Sequence, residues 1–160
     1  PVICRVYNGI KQHSMKTVHK SVLIWYSPAE MYQLVIKCED YPQFLPWCDF
    51  GRVLEHTPDG MVAEIGIAMA GLKQSFVTRN VHVPDREVEL NLVRGPFSHL
   101  KGRWRFEPVG DGTQRACRVH FDIEYDFSSR TLAMLVGPIF EKITSTFVDA
   151  FIQRAKKVYG

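Results

Sequence analysis

The sequence predicts an α+β domain in which a curved antiparallel sheet grips one long C-terminal helix around an apolar cavity. Three observations carry this. Between residues 50 and 127, short β-rich runs alternate with turn signals. After Phe127 the apolar spacing changes from two residues to three or four, and it keeps that period to Val158. The 160 residues, 46% of them hydrophobic, suffice for a single core.

Taken in order, residues 1–14 read as an N-terminal extension, with 2–7 as a candidate extra strand, and residues 15–160 read as one domain. The extension lacks the apolar centre of a signal peptide, and no uninterrupted apolar run approaches the ~20 residues that span a bilayer. A cytoplasmic protein without a transmembrane segment is the expectation. A first strand covers 17–25. Ser27-Pro28-Ala29-Glu30 then opens a helix over 28–37, with Ser27 as cap, Pro28 in the first turn and Glu30 three residues after the cap. A short helix or turn follows over 39–45, and two prolines break regular structure in Tyr41-Pro42-Gln43-Phe44-Leu45-Pro46-Trp47.

The turn signals are Thr57-Pro58-Asp59-Gly60, Pro84-Asp85-Arg86, Gly95-Pro96 and Gly110-Asp111-Gly112. They divide the middle of the chain into strands near 50–56, 61–70, 73–83, 86–94, 99–107 and 115–127, an antiparallel meander. The last strand alternates most clearly. Cys117, Val119, Phe121, Ile123, Tyr125 and Phe127 point one way; Arg118, His120, Asp122, Glu124 and Asp126 point the other. In the strand before it, Gly102, Trp104 and Phe106 face in while Lys101, Arg103 and Arg105 face out. A first helical piece over 131–136 is expected to be interrupted or bent at Gly137-Pro138. Beyond it, Ile139, Ile143, Phe147, Phe151, Ala155 and Val158 form a stripe suited to lie on the sheet.

The inward set Phe97, Leu100, Trp104, Phe106, Val119, Phe121, Ile123 and Tyr125, with Phe147 and Phe151 opposite, admits two readings: a filled core or the wall of a ligand cavity. Tyr41, Phe44, Leu45, Pro46 and Trp47 either plug the open end of the sheet or gate a cavity mouth, and a gate is favoured because a second proline loop at 95–97 is expected beside it. On the outer face, Lys101, Arg103 and Arg105 with Arg115 and Arg118 form a candidate site for RNA phosphates, or an ordinary solvated face diluted by Glu107, Asp122 and Glu124. The net charge of +3 decides neither.

Enzymatic signals are weak. The six histidines lack metalloprotease spacing, the serines lack a nucleophile elbow, and no glycine loop fits a phosphate. Cys4, Cys38, Cys48 and Cys117 have no metal-ligand spacing and read as reduced thiols. The carboxylates Asp122, Glu124 and Asp126 share the face predicted to meet water. No catalytic residue and no metal are expected.

The element order resembles the helix-grip fold of START-type and birch-pollen-allergen-type proteins. Within that group, Tyr41-Pro42-Gln43-Phe44-Leu45-Pro46-Trp47-Cys48 and the run from Gly95-Pro96-Phe97 to Arg103-Trp104-Arg105-Phe106 resemble the two signatures of one family. That family unites the RatA ribosome association toxins with the coenzyme Q-binding START-domain proteins, and the resemblance covers about residues 15–159. The toxin branch implies binding to the large ribosomal subunit, blocked subunit joining and an antitoxin partner. The quinone branch implies ubiquinone or another isoprenoid as a hydrophobic small-molecule ligand of the cavity. The resemblance favours a cavity over a filled core. The wider fold group includes polyketide cyclases, but no base or nucleophile for such chemistry stands out here.

Overall fold

The computed structural model describes residues 15–160. The N-terminal extension, the candidate strand 2–7, Cys4 and His13 lie outside the described residues. Strand β1 (Lys16–Ile24) leads into α1 (Pro28–Ile36) and a 3-10 helix (Cys38–Gln43). Six strands follow: β2 (Cys48–Thr57), β3 (Gly60–Met69), β4 (Leu72–Val83), β5 (Glu87–Arg94), β6 (Phe97–Pro108) and β7 (Cys117–Phe127). Helix α2 (Arg130–Tyr159) ends the chain.

The seven strands form one antiparallel sheet in the order β1-β7-β6-β5-β4-β3-β2. The meander therefore runs from β2 to β7, and β1 closes against the last strand, with Lys16 opposite Tyr125 and Ile24 opposite Cys117. The alternation of β6 and β7 decides which face is covered. Trp104, Phe106, Val119 and Phe121 are each about 1% exposed, and their outward neighbours are solvated.

Helix α1 begins in a full capping box: the Glu30 amide donates to Ser27 Oγ at 3.1 Å, and the Ser27 amide donates to Glu30 Oε1 at 2.9 Å. Glu30 also ties three elements together. Arg115, in the β6–β7 loop, donates to its carboxylate through Nε at 2.9 Å and Nη2 at 2.7 Å, and the Tyr159 hydroxyl at the end of α2 donates to its carbonyl at 2.9 Å. The Arg115 guanidinium holds the Glu30 carboxyl down to about 2. A depressed carboxylate contributes stability above its unfolded value and loses it as pH falls through the folded one. Glu30→Gln should therefore cost about 1–2 kcal/mol at neutral pH, and its deficit against the parent should shrink from pH 4.5 toward 2 in denaturant melts. A deficit that stays constant through that window would exclude the charged pair as its source.

Of the interruption or bend expected at Gly137-Pro138, the interruption does not occur, because α2 runs continuously from Arg130 to Tyr159 with Ser129 as cap. Proline removes the donor that would serve the Met134 carbonyl, but Met134 and Pro138 are both exposed, so that carbonyl lies on the solvent side. Val136 and Phe140 anchor the opposite face on either side of the proline, Phe140 against Tyr125 at 4.7 Å and Phe97 at 4.9 Å between ring centroids. By length and mean hydropathy α2 would qualify to cross a membrane; here Phe140, Ile143, Val148, Phe151 and Ala155 are buried in the domain.

Candidate functional site

The two helices cover the inner face of the sheet unevenly. Helix α2 packs on β7 and β1, α1 packs on β6 and β5, and the 3-10 segment packs on β2. Over β6 and β7 the result is a dense aromatic core. Trp104 lies 4.6 Å from Phe121, 5.0 Å from Phe151 and 5.6 Å from Phe147, with Phe147 and Phe151 5.0 Å apart between ring centroids.

The internal cavity lies beside this core, over β3, β4 and β5, and measures about 60 Å³. That is room for about two waters, against the ~300–1,000 Å³ of typical small-molecule sites. Its wall includes Tyr41, Trp47, Met61, Ala63, Phe76, Thr78, Asn80, Leu90, Trp104 and Phe147. Of the residues expected to line a cavity, Trp104 and Phe147 do so. Phe97, Leu100, Phe106, Val119, Phe121, Ile123, Tyr125 and Phe151 are core residues outside this wall. The offset of α2 toward β7 and β1 is the cause: it fills the space in front of β7 and leaves β4 under-covered.

The segment expected to form the mouth divides. Tyr41, Leu45 and Trp47 are buried, Phe44 is half-buried and Pro46 is exposed. Tyr41 donates its hydroxyl to the Val35 carbonyl, and its ring meets Phe151 at 5.4 Å. Leu45, Pro46 and Trp47 border a surface groove of about 400 Å³ against Ile143, Thr146 and Ala150 of α2. Phe97, from the second proline loop, instead packs on Phe140 and Phe127. The two loops thus meet α2 about two turns apart, at Phe140 and at Phe147–Phe151.

Sequence reasoning missed the two polar residues in the cavity wall. Thr78 and Asn80 are 3% and 5% exposed, and Thr78 Oγ1 donates to Asn80 Oδ1 at 2.7 Å. The register places them opposite Ala63 and Met61 on the inner face, with Phe76 before them and His82 after. The valines mislead here: Val81 and Val83 alternate with Asn80 and His82 and lie on the outer face, whereas Val77, 1% exposed, sits at the irregularity in the pairing of β4 with β5. Burial lowers the His82 pKa, and its Nε2 is buried without a hydrogen-bond partner among the described residues.

The outer face carries Lys101, Arg103, Arg105 and Arg118, but as a charge checkerboard. Lys101 pairs with Glu89 at 3.6 Å and Arg103 with Glu87, while Arg118 stands opposite Glu107. Glu124 and Asp122 face Lys101 and Arg103 from β7, and they also meet His99 at 3.1 Å and His19, respectively. Arg115 is not part of this row, since it is committed to Glu30. Burial pushes the thiols of Cys38, Cys48 and Cys117 up to about 12, 11 and 12, so at neutral pH they are apolar packing rather than thiolate nucleophiles.

Comparison with known proteins returns the same architecture of a curved sheet and a long C-terminal helix. Residues 24–152 match the family described as polyketide cyclase/dehydrase and lipid transport. The chain belongs to that family. The ribosome association toxin RatA of Pseudomonas aeruginosa is 40% identical over 143 residues, covering 89% of this chain and 97% of that protein. The mitochondrial coenzyme Q-binding protein COQ10 homolog B of Xenopus laevis is 27% identical over 142 residues, covering 88% of this chain and 58% of that protein. Among solved structures, the Zhui aromatase/cyclase of a Streptomyces species superposes with a TM-score of 0.76 at 13% identity, over 89% of this chain and 94% of that one, a likeness of fold.

Proposed function

We propose that this protein binds the large ribosomal subunit and hinders its joining to the small one, so that translation initiation falls. The observation that carries this reading is the 40% identity, along nearly its whole length, with a protein named as a ribosome association toxin. The row Lys101, Arg103 and Arg105 is the contact surface we assign. Its exposed ion pairs contribute little to stability, so the cations can exchange carboxylates for phosphates. Overproduction followed by sucrose-gradient profiles should convert joined ribosomes to free subunits, and unchanged profiles with abundant soluble protein would sink the proposal.

Neutral substitutions test the row better than charge reversal. Lysine or arginine changed to glutamate at these positions would set like charges directly opposite Asp122, Glu124 and Glu89 and destabilise the sheet. The triple change Lys101→Gln, Arg103→Gln, Arg105→Gln should leave stability within about 1 kcal/mol and weaken subunit binding. The salt dependence should flatten by roughly one unit per lost phosphate contact. Full potency in that variant would move the contact surface elsewhere.

A second reading, carriage of a quinone or other isoprenoid, is favoured by the internal cavity with its polar pair on β4 and by the relative named as coenzyme Q-binding. Mass spectrometry of lipids extracted from the purified protein tests it, and a co-purified polyprenyl quinone is the expected result.

A further inference from the structure

We propose that the inner face of β4 is the head-group end of a two-part site, and that Trp47 separates it from a tail-binding groove on the surface. The occupant this fits is an uncharged amphiphile with a hydrogen-bond-accepting oxygen at one end and a hydrocarbon chain at the other. The inference rests on the carrier reading above and specifies its ligand chemistry.

Strand β4 runs against its own pattern. Phe76, Thr78, Asn80 and His82 face inward while Val81 and Val83 face out, Val83 with 45% of its surface exposed. Polar residues buried in place of available apolar ones mark function rather than packing, because local pattern and fold otherwise agree. The Thr78 hydroxyl occupies Asn80 Oδ1, which leaves the Asn80 amide N–H groups for an occupant of the cavity. The free donors call for an acceptor, such as a carbonyl. Among the described residues no charged side chain lines the cavity, so a charged head would be desolvated without a counterion.

The cavity alone is too small for such a molecule, but it does not end blindly. Trp47 lines both the cavity and the groove formed by Leu45 and Pro46 against Ile143, Thr146 and Ala150. Its ring packs on Phe147 at 6.1 Å, and Phe147 is only half-buried. Rotation of these two side chains would join the spaces, since Trp47 lines both. The joined volume reaches the range of drug-sized ligand sites. The groove is mainly apolar and opens to solvent, which suits a chain that continues beyond the protein.

The test uses the full chain and two probes with the same ten-carbon tail, decylubiquinone and decylbenzene, followed by quenching of Trp47 and Trp104 fluorescence. Decylubiquinone should bind saturably. Asn80→Leu should weaken it about tenfold, the effect of one lost hydrogen bond of about 1.4 kcal/mol, and should leave decylbenzene within about twofold. Thr78→Val combined with Asn80→Leu removes both partners, so a folded protein without an unpaired hydroxyl is available if the single change unfolds. Trp47→Ala should speed association of both probes. Quinone binding at parental strength by the folded β4 variants would refute the head-group assignment while leaving the carrier reading in place. Failure of both probes to bind the parent and Trp47→Ala would overturn the carrier reading, and this inference with it.

Discussion

Phe121→Ala is expected to cost about 3–5 kcal/mol, the full loss for a large aromatic removed from a closed core. Phe121 is 1% exposed and lies 4.6 Å from Trp104 and 5.3 Å from Phe147 between ring centroids, so its removal opens a void inside the aromatic core. Phe147→Ala should cost less, about 2 kcal/mol, because Phe147 already borders empty volume and is half-buried. Urea or guanidinium melts of the two variants measure the contrast directly. Equal losses at both positions would mean that Phe147 is packed as tightly as Phe121, and the cavity would then have no physical consequence at its wall.

Gly51→Ala should be as damaging, by a different route. A Cβ at residue 51 would stand 1.9 Å from the Cys38 carbonyl oxygen and 2.7 Å from its carbon. Both are backbone atoms of the 3-10 segment, so no side chain can rotate away. The pairing of β2 with β3 shifts register between Cys48 and Gly51, where the strand bends under that segment. Accommodation requires the backbone to part, at a cost of at least about 3 kcal/mol. Gly71→Ala is the control: its φ of 79° strains an alanine, but nothing lies within 4 Å, so about 1 kcal/mol is expected. Parental stability in Gly51→Ala would show that the 38–43 turn is not held against β2.

The sequence makes some elements plain because their cause is local. The cap of α1 is written in Ser27, Pro28 and Glu30, and the two faces of β6 and β7 are written in period-two alternation. The location of the cavity is not local. An amphipathic stripe says which side of α2 meets the sheet, but not that the helix lies toward β1 and β7 and leaves β4 under-covered. Val81 and Val83 of β4 point the reader to the wrong face, since register with Met61, Ala63 and Ile65 overrides them. Tyr41 and Trp47 read as a plug or as a gate, and only the fold shows that the 3-10 turn tucks both inside. Arg115 counts as one more cation in the sequence, and only the fold brings it to Glu30, a partner 85 residues away. Pro138 signals an interruption or a bend, and packing on both its sides keeps the helix continuous through it.

The pairing of β1 with β7 has a kinetic consequence. Strands β2 to β7 pair with their neighbours in sequence, so each closes a short loop and can form soon after it is made. Strand β1 must instead wait for its partner from the far end of the chain. During synthesis at ~5–20 residues per second, β1 and the inward side of α1 remain without their sheet for several seconds. The meander meanwhile presents β7 as an open edge as soon as it emerges, and a second nascent copy offers the same strand β1. Exchange of β1 between neighbouring chains is therefore the misassembly to which this topology is most exposed, and slow synthesis through β5 and β6 would lengthen the interval in which it can occur.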